Sequence, residues 1–121
     1  MNKKILIVDD DPRNIFALKL TLKARGYKMK TSVTAQEAIQ VLKDDSEIGM
    51  VLMDMMMPEM DGYEAIRIIR QDSSIKHVPI IAVTAQAMEE DRQKCLDAGA
   101  HDYIKKPIDV DILMKAIEKL L

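Results

Sequence analysis

Apolar residues fall into short unbroken runs, each ending in a polar residue. Ile5-Leu6-Ile7-Val8 leads into Asp9-Asp10, Met50-Val51-Leu52-Met53 into Asp54, and Ile80-Ile81-Ala82-Val83 into Thr84. A shorter run, Tyr103-Ile104, leads into Lys105-Lys106-Pro107. Continuous runs of this length predict strands buried on both faces, the habit of a parallel sheet covered by helices. Lys28-Met29-Lys30-Thr31-Ser32-Val33 alternates instead and predicts a half-exposed strand.

Helical patterns fill the intervals. Ile15, Leu18 and Leu22 share one face after Asp11-Pro12, and Gly26 closes that helix. Thr34-Ala35-Gln36-Glu37 has the form of a capping box and opens a helix with Ala38, Ile39 and Leu42 inward. Residues 62–71 carry Ile66 and Ile69 inward, with Arg67 and Arg70 predicted to turn out. Residues 88–98 are mostly charged, with Cys95 and Leu96 among the few apolar positions, and Gly99 ends the helix. Asp109 opens the last helix, whose Leu113, Ile117 and Leu120 face inward.

Strands alternating with helices predict an α/β fold: a five-stranded, doubly wound parallel sheet with helices on both faces. The flavodoxin-like order 2-1-3-4-5 is the expected arrangement. It sets strands one and three side by side where the winding reverses, so Asp9, Asp10 and Asp54 converge at the carboxyl edge of the sheet, where such folds bind ligands.

Composition narrows the function classes. The 121 residues suffice for one domain, and a hydrophobic content of 48% argues against disorder. Aromatics are only 3% and net charge is −2, with no basic stripe, so direct nucleic-acid binding is disfavoured. The single cysteine, Cys95, excludes an internal disulfide and fits a reducing cytoplasm. Only four apolar residues separate Lys4 from Asp9, too few for a signal peptide or membrane span. The expectation is a soluble cytoplasmic single domain with no membrane insertion.

Three converging carboxylates need compensation, because two unit charges ~4 Å apart repel by about 4 kcal/mol at an effective dielectric near 20. A hard cation with oxygen ligands removes that cost, and Mg²⁺ suits few carboxylates, waters and a phosphate oxygen. A carboxylate can also attack phosphorus. Asp54 stands alone at a strand tip before an irregular loop, Met55 to Asp61, and is the expected nucleophile. Asp9 and Asp10 are then metal ligands, while Thr84 and Lys106 could hold the transferred oxygens.

Asp9-Asp10, Asp54-Met55-Met56-Met57-Pro58-Glu59-Met60-Asp61-Gly62, Thr84-Ala85 and Lys106-Pro107, in that order, resemble the response-regulator receiver domain of two-component signalling. The resemblance spans residues 1–121 as a single receiver domain and implies the same strand order, so the two readings of topology are not independent. It implies that Asp54 accepts phosphoryl from a histidine of a sensor kinase or phosphotransfer protein. Asp10 and Asp54 would be direct Mg²⁺ ligands with the backbone carbonyl of Met56, and Asp9 would act through metal-bound water. Thr84 would move to the phosphate, Lys106 pair with it, and Tyr103 turn inward as Thr84 moves. Met56 and Gln86 would border the path of attacking water. Helix four, strand five and helix five would form the output face toward a downstream protein.

Two other readings compete. A Mg²⁺-dependent phosphatase or mutase would also use an aspartyl nucleophile, but such enzymes usually carry a second acid two residues later, where this chain has Met56. The chain is therefore expected to be no enzyme beyond promoting its own phosphorylation and dephosphorylation. Thr84-Ala85-Gln86-Ala87-Met88 resembles receivers of hybrid histidine kinases, so a domain excised from such a kinase, or from a DNA-binding regulator, stands beside a stand-alone protein, which Met1 and the helix end at Leu121 fit. Structural roles suffice elsewhere. Asp11 before Pro12 reads as a helix cap, Lys105 as a solvated neighbour of Lys106, and the methionines around Asp54 as adaptable packing. His77 and His101 read as surface residues, Cys95 as packing, and the charges from Glu89 to Lys94 as a solvated face.

Overall fold

A computed structural model describes residues 3–85 and 88–121. Gln86, expected to border the path of water, lies outside the described residues. Strands and helices alternate: β1 (Lys4–Val8), α1 (Pro12–Ala24), β2 (Lys28–Ser32), α2 (Ala35–Asp44), β3 (Ile48–Asp54), α3 (Gly62–Gln71), β4 (Ile80–Thr84), α4 (Glu89–Ala98), β5 (Asp102–Lys105) and α5 (Val110–Leu120). All neighbouring strands are parallel, in the order β2-β1-β3-β4-β5. The predicted winding is the one observed.

Burial follows the hydrophobic pattern. Every residue of β3 and β4 is buried, whereas β2, at the sheet edge, alternates. Leu6, Val8, Val51, Met53, Ile80 and Ala82 point to one face and pack with Ala38, Leu42, Ile66, Ile69 and Cys95 of α2, α3 and α4. Ile5, Ile7, Met50, Leu52, Ile81 and Val83 point to the other and pack with Ile15, Leu22, Leu113 and Ile117 of α1 and α5. This is the period of two expected of a strand covered on both sides. Each fully buried isoleucine or leucine contributes about 1.5–3 kcal/mol over leaving it in water.

Most helices start where their caps predicted. The Asp11 carboxylate accepts from the Arg13 N–H at 2.9 Å, and Thr34 Oγ1 from the Glu37 N–H at 3.1 Å. The Asp109 carboxylate accepts from the Asp111 N–H at 2.9 Å. The capping box around Thr34 is shifted by one residue, since Glu37 Oε1 accepts from the Val33 N–H at 3.3 Å. Gly26 follows α1 with φ +83°, a left-handed conformation that costs glycine little.

One expectation is corrected. Arg70 does not turn out. Its guanidinium donates to the carbonyls of Val78 (2.7 Å), Lys76 (2.8 Å) and Gly99 (3.0 Å), and Nη2 lies 3.0 Å from His101 Nδ1. Arg70 directly follows the buried Ile69, and carbonyls of two loops claim its donors. His101 is exposed as a residue, but its Nδ1 also accepts from the Ile80 N–H at 3.3 Å. Two donors aimed at one ring nitrogen require that nitrogen to be unprotonated, which places the proton of the neutral ring on Nε2.

Candidate functional site

The carboxyl ends of β1 and β3 lie side by side, with Val8 opposite Met53, so the residues that follow each strand meet at one edge. The β1 end is set by backbone bonding: the Asp9 N–H donates to the Ser32 carbonyl at 3.1 Å. The β3 end is set on its other side, where the Met55 N–H donates to the Val83 carbonyl at 3.0 Å. Gly62 tightens this corner. A Cβ there would fall 2.6 Å from Met55 Sδ, 2.7 Å from Met55 Cα and 2.9 Å from the Asp54 carbonyl oxygen. Only glycine lets the start of α3 lie against the backbone that carries Asp54.

One carboxylate oxygen from each of Asp9, Asp10 and Asp54 lies within 4.8 Å of the others. Asp9 and Asp54 are each 4% exposed, whereas Asp10 faces solvent. Asp9 accepts from the Asp11 N–H at 2.8 Å and from Asn14 Nδ2 at 3.4 Å. Asp54 accepts from the Met56 N–H at 3.1 Å. Lys106 Nζ reaches over both, 3.5 Å from Asp54 and 3.6 Å from Asp9. Burial pushes the Asp54 carboxyl above the usual aspartate range; the Met56 N–H and Lys106 oppose this, and Asp9 and Asp10 add to it.

The remaining expected residues are placed by the neighbouring strands. Thr84, fully buried, ends β4 opposite Lys105. Its carbonyl accepts from the Lys106 N–H at 2.7 Å, which ties the lysine to the strand carrying the hydroxyl. Tyr103 is half-buried in β5, opposite Ala82, and packs against the α2–α3–α4 side of the core. Met56 is 55% exposed, while its neighbours Met55 and Met57 are buried at 0% and 7%. Packing therefore explains the methionines on either side of it. Asn14 was not anticipated; its signal was its position in the first turn of α1, one turn from the Asp9 carboxylate.

The donor set fits a hard divalent cation. It holds oxygen atoms of three carboxylates, two of them buried, and one lysine opposes them. Beside it lies a groove of about 560 Å³ between α1 and α5, walled by Ala17, Leu18, Ile108, Val110 and Leu113 and reaching Asp9 and Lys106.

Residues 5–118 match the family described as the response regulator receiver domain. The chain belongs to that family. Over 121 residues this receiver is 31% identical to the polar-differentiation response regulator DivK of Brucella ovis, covering 100% of the chain and 98% of the relative. It is 37% identical over 113 residues to a Vibrio cholerae protein named "Probable cyclic di-GMP phosphodiesterase", covering 93% of the chain but only 25% of that protein. Among solved structures, the receiver domain of the sensor histidine kinase PA1611 from Pseudomonas aeruginosa superposes with TM-score 0.89 at 33% identity, covering 99% of this chain and 98% of that one. That structure has a magnesium ion coordinated in its active-site cleft. The Vibrio cholerae chemotaxis protein CheY4 superposes with TM-score 0.91 at 27% identity, over the full length of both chains. No described helix is long and apolar enough to cross a membrane.

Proposed function

We propose that residues 1–121 form one phosphorylatable receiver switch of a two-component or phosphorelay system, with Asp54 as phosphoryl acceptor. The observation that carries the reading is the buried Asp54 carboxylate at the end of β3, 3.5 Å from Lys106 and clustered with Asp9 and Asp10. The donor is a phosphohistidine of a sensor kinase or histidine phosphotransfer protein. An Asp54 carboxylate oxygen attacks phosphorus, the P–N bond breaks, and its electron pair returns to the imidazole of the donor. The product is an aspartyl phosphate.

Lys106 holds a phosphoryl oxygen by charge, and the Thr84 hydroxyl donates to another. Asp10, Asp54 and the Met56 carbonyl would hold Mg²⁺, with Asp9 acting through water, and the bound ion would supply positive charge to offset the carboxylates and the incoming phosphoryl group. Such transfer is mainly positioning and charge stabilisation, so general acid–base residues are not required. Met56 stands where the related hydrolytic enzymes carry one, which favours a switch over a phosphatase or mutase. The apolar groove beside Lys106, with Phe16 and Leu20 exposed on α1 at 64% and 56%, supports delivery by a protein donor. Output passes by contact with a downstream protein through α4, β5 and α5, or by onward transfer to another histidine, in the cytoplasm and without direct nucleic-acid contact.

Incubation with acetyl phosphate and Mg²⁺ should label wild type with one acid-stable, base-labile phosphoryl group and leave Asp54→Asn unlabelled. Stoichiometric labelling of the Asn variant at another residue would sink the assignment.

A further inference from the structure

The chain has a net charge of −2, yet no acidic residue occurs between Asp11 and Glu37, a stretch that holds Arg13, Lys19, Lys23, Arg25, Lys28 and Lys30. These six are scattered along the sequence, and the fold gathers them, because α1 packs on β2 at the edge of the sheet. All six are exposed. Arg13 is paired with Asp11 at 3.2 Å and Lys30 with Asp45 at 2.8 Å. Among the described residues, no ion pair engages Lys19, Lys23, Arg25 or Lys28. The outer side of α1 is built of rows of residues four apart. Ala17 and Thr21 line the groove toward α5. Phe16 and Leu20, exposed at 64% and 56%, form the next row, and helical geometry sets Lys19 and Lys23 beyond it, away from the groove.

We propose that this face of α1 and β2 docks reversibly on the anionic surface of a lipid bilayer. Phe16 and Leu20 enter the headgroup boundary, while the stems of Lys19 and Lys23 lie along it and their ammonium groups meet lipid phosphates. Cations without an acid partner are attracted to such a surface over about a Debye length, so the docking weakens as salt rises. Two apolar side chains are too few to anchor the protein alone, which keeps the contact reversible. The 20 acidic residues all lie outside the basic stretch, so the rest of the molecule is repelled and the orientation is fixed. The outer side of a helix and an edge strand is convex, and a fluid surface meets it without shape complementarity. β5 lies at the opposite edge of the sheet, so docking leaves the proposed output face free. A donor that reaches Lys106 along the groove displaces the bilayer from Phe16 and Leu20.

The inference goes beyond the proposed switch and does not depend on Asp54 being the acceptor. The full chain is sedimented with vesicles of phosphatidylcholine alone or mixed with phosphatidylglycerol, at low and high salt. The expected result is binding to the mixed vesicles only, lost at high salt. Lys19→Glu with Lys23→Glu should weaken binding roughly tenfold or more. Phe16→Gln with Leu20→Gln should weaken it several-fold. Arg67→Glu with Lys76→Glu makes the same change of charge elsewhere on the surface and should bind as wild type; thermal melts confirm that each variant folds. Absence of binding to the mixed vesicles at low salt would overturn the proposal, as would equal weakening by the Arg67 and Lys76 pair. Polyglutamate and duplex DNA are run as competitors. Full displacement by either, together with no effect of Phe16→Gln and Leu20→Gln, would mark a general anion-binding face and also overturn it.

Discussion

Asp10 stands in solvent while Asp9 and Asp54 are buried beneath it, so the three carboxylates are unequally hydrated. Lys106 approaches Asp9 and Asp54, at 3.6 and 3.5 Å. With Asp10 contributing repulsion to both, Asp10→Asn should melt at a higher temperature than wild type without metal. If Asp10 is a ligand, Mg²⁺ should then raise the melting temperature of the variant less than that of wild type. Thermal melts with and without Mg²⁺ measure both effects, and an unchanged Mg²⁺ response would remove Asp10 from the ligand set. The residues of the site were legible as types at strand ends. Their unequal burial was not, because exposure depends on what α1 and the β3–α3 loop place around each carboxylate.

The junction of β3 and α3 is where an element boundary shapes the chemistry. Gly62 opens α3 directly against Met55 and the Asp54 carbonyl, and backbone atoms cannot move aside as a flexible side chain would. Gly62→Ala should therefore destabilise the fold by roughly 1–3 kcal/mol, the usual cost of overpacking. Because the displaced backbone carries Asp54, acetyl phosphate labelling should also slow. Denaturant unfolding and labelling rates read the two effects, and native values of both would show that the corner has slack. The cap residues Asp11, Thr34 and Asp109 were readable in the sequence because a cap acts on its own first turn. Arg70 was not, because its acceptors at residues 76, 78 and 99 belong to loops that meet only when α3, β4 and α4 pack together.

Across the whole molecule, the far edge of the sheet carries the contact between Arg70 and His101, and the near edge the proposed switch. Burial, and secondarily Arg70, lowers the pKa of His101 below its ordinary 6.5. The folded state therefore binds fewer protons than the unfolded chain in that range. The contribution is fully present above pH 6.5 and is lost as pH falls through the folded value. Stability should fall with acidification in this window, and His101→Asn, whose side-chain carbonyl can accept but not titrate, should lose that part of the dependence. Denaturation midpoints across pH measure it; an identical profile in the variant would dismiss His101. At the near edge, on the proposed function, phosphoryl on Asp54 would bias a pre-existing equilibrium only by its differential affinity for the two states. Thr84 ends β4 beside β5, and Tyr103 lies in β5 against the core that α4 covers. Amide shifts on adding beryllofluoride and Mg²⁺ should accordingly extend from the site to α4 and β5. Shifts confined to the loops around Asp10 and Asp54 would indicate a passive phosphoryl carrier.

Strand positions, the alternation with helices and the polar residue after each central strand were determined by the sequence alone, because burial on both faces writes itself as unbroken apolar runs. The order of strands followed from that alternation and from family resemblance together. What tertiary structure alone decided are the contacts between residues distant along the chain: the reach of Lys106 over Asp9 as well as Asp54, and Arg70 with His101 across two loops. The solvent exposure of Met56 between two buried methionines belongs with them. Periodicity describes which way a side chain leaves its own element. Which partner it meets there depends on the packing of elements that periodicity does not describe.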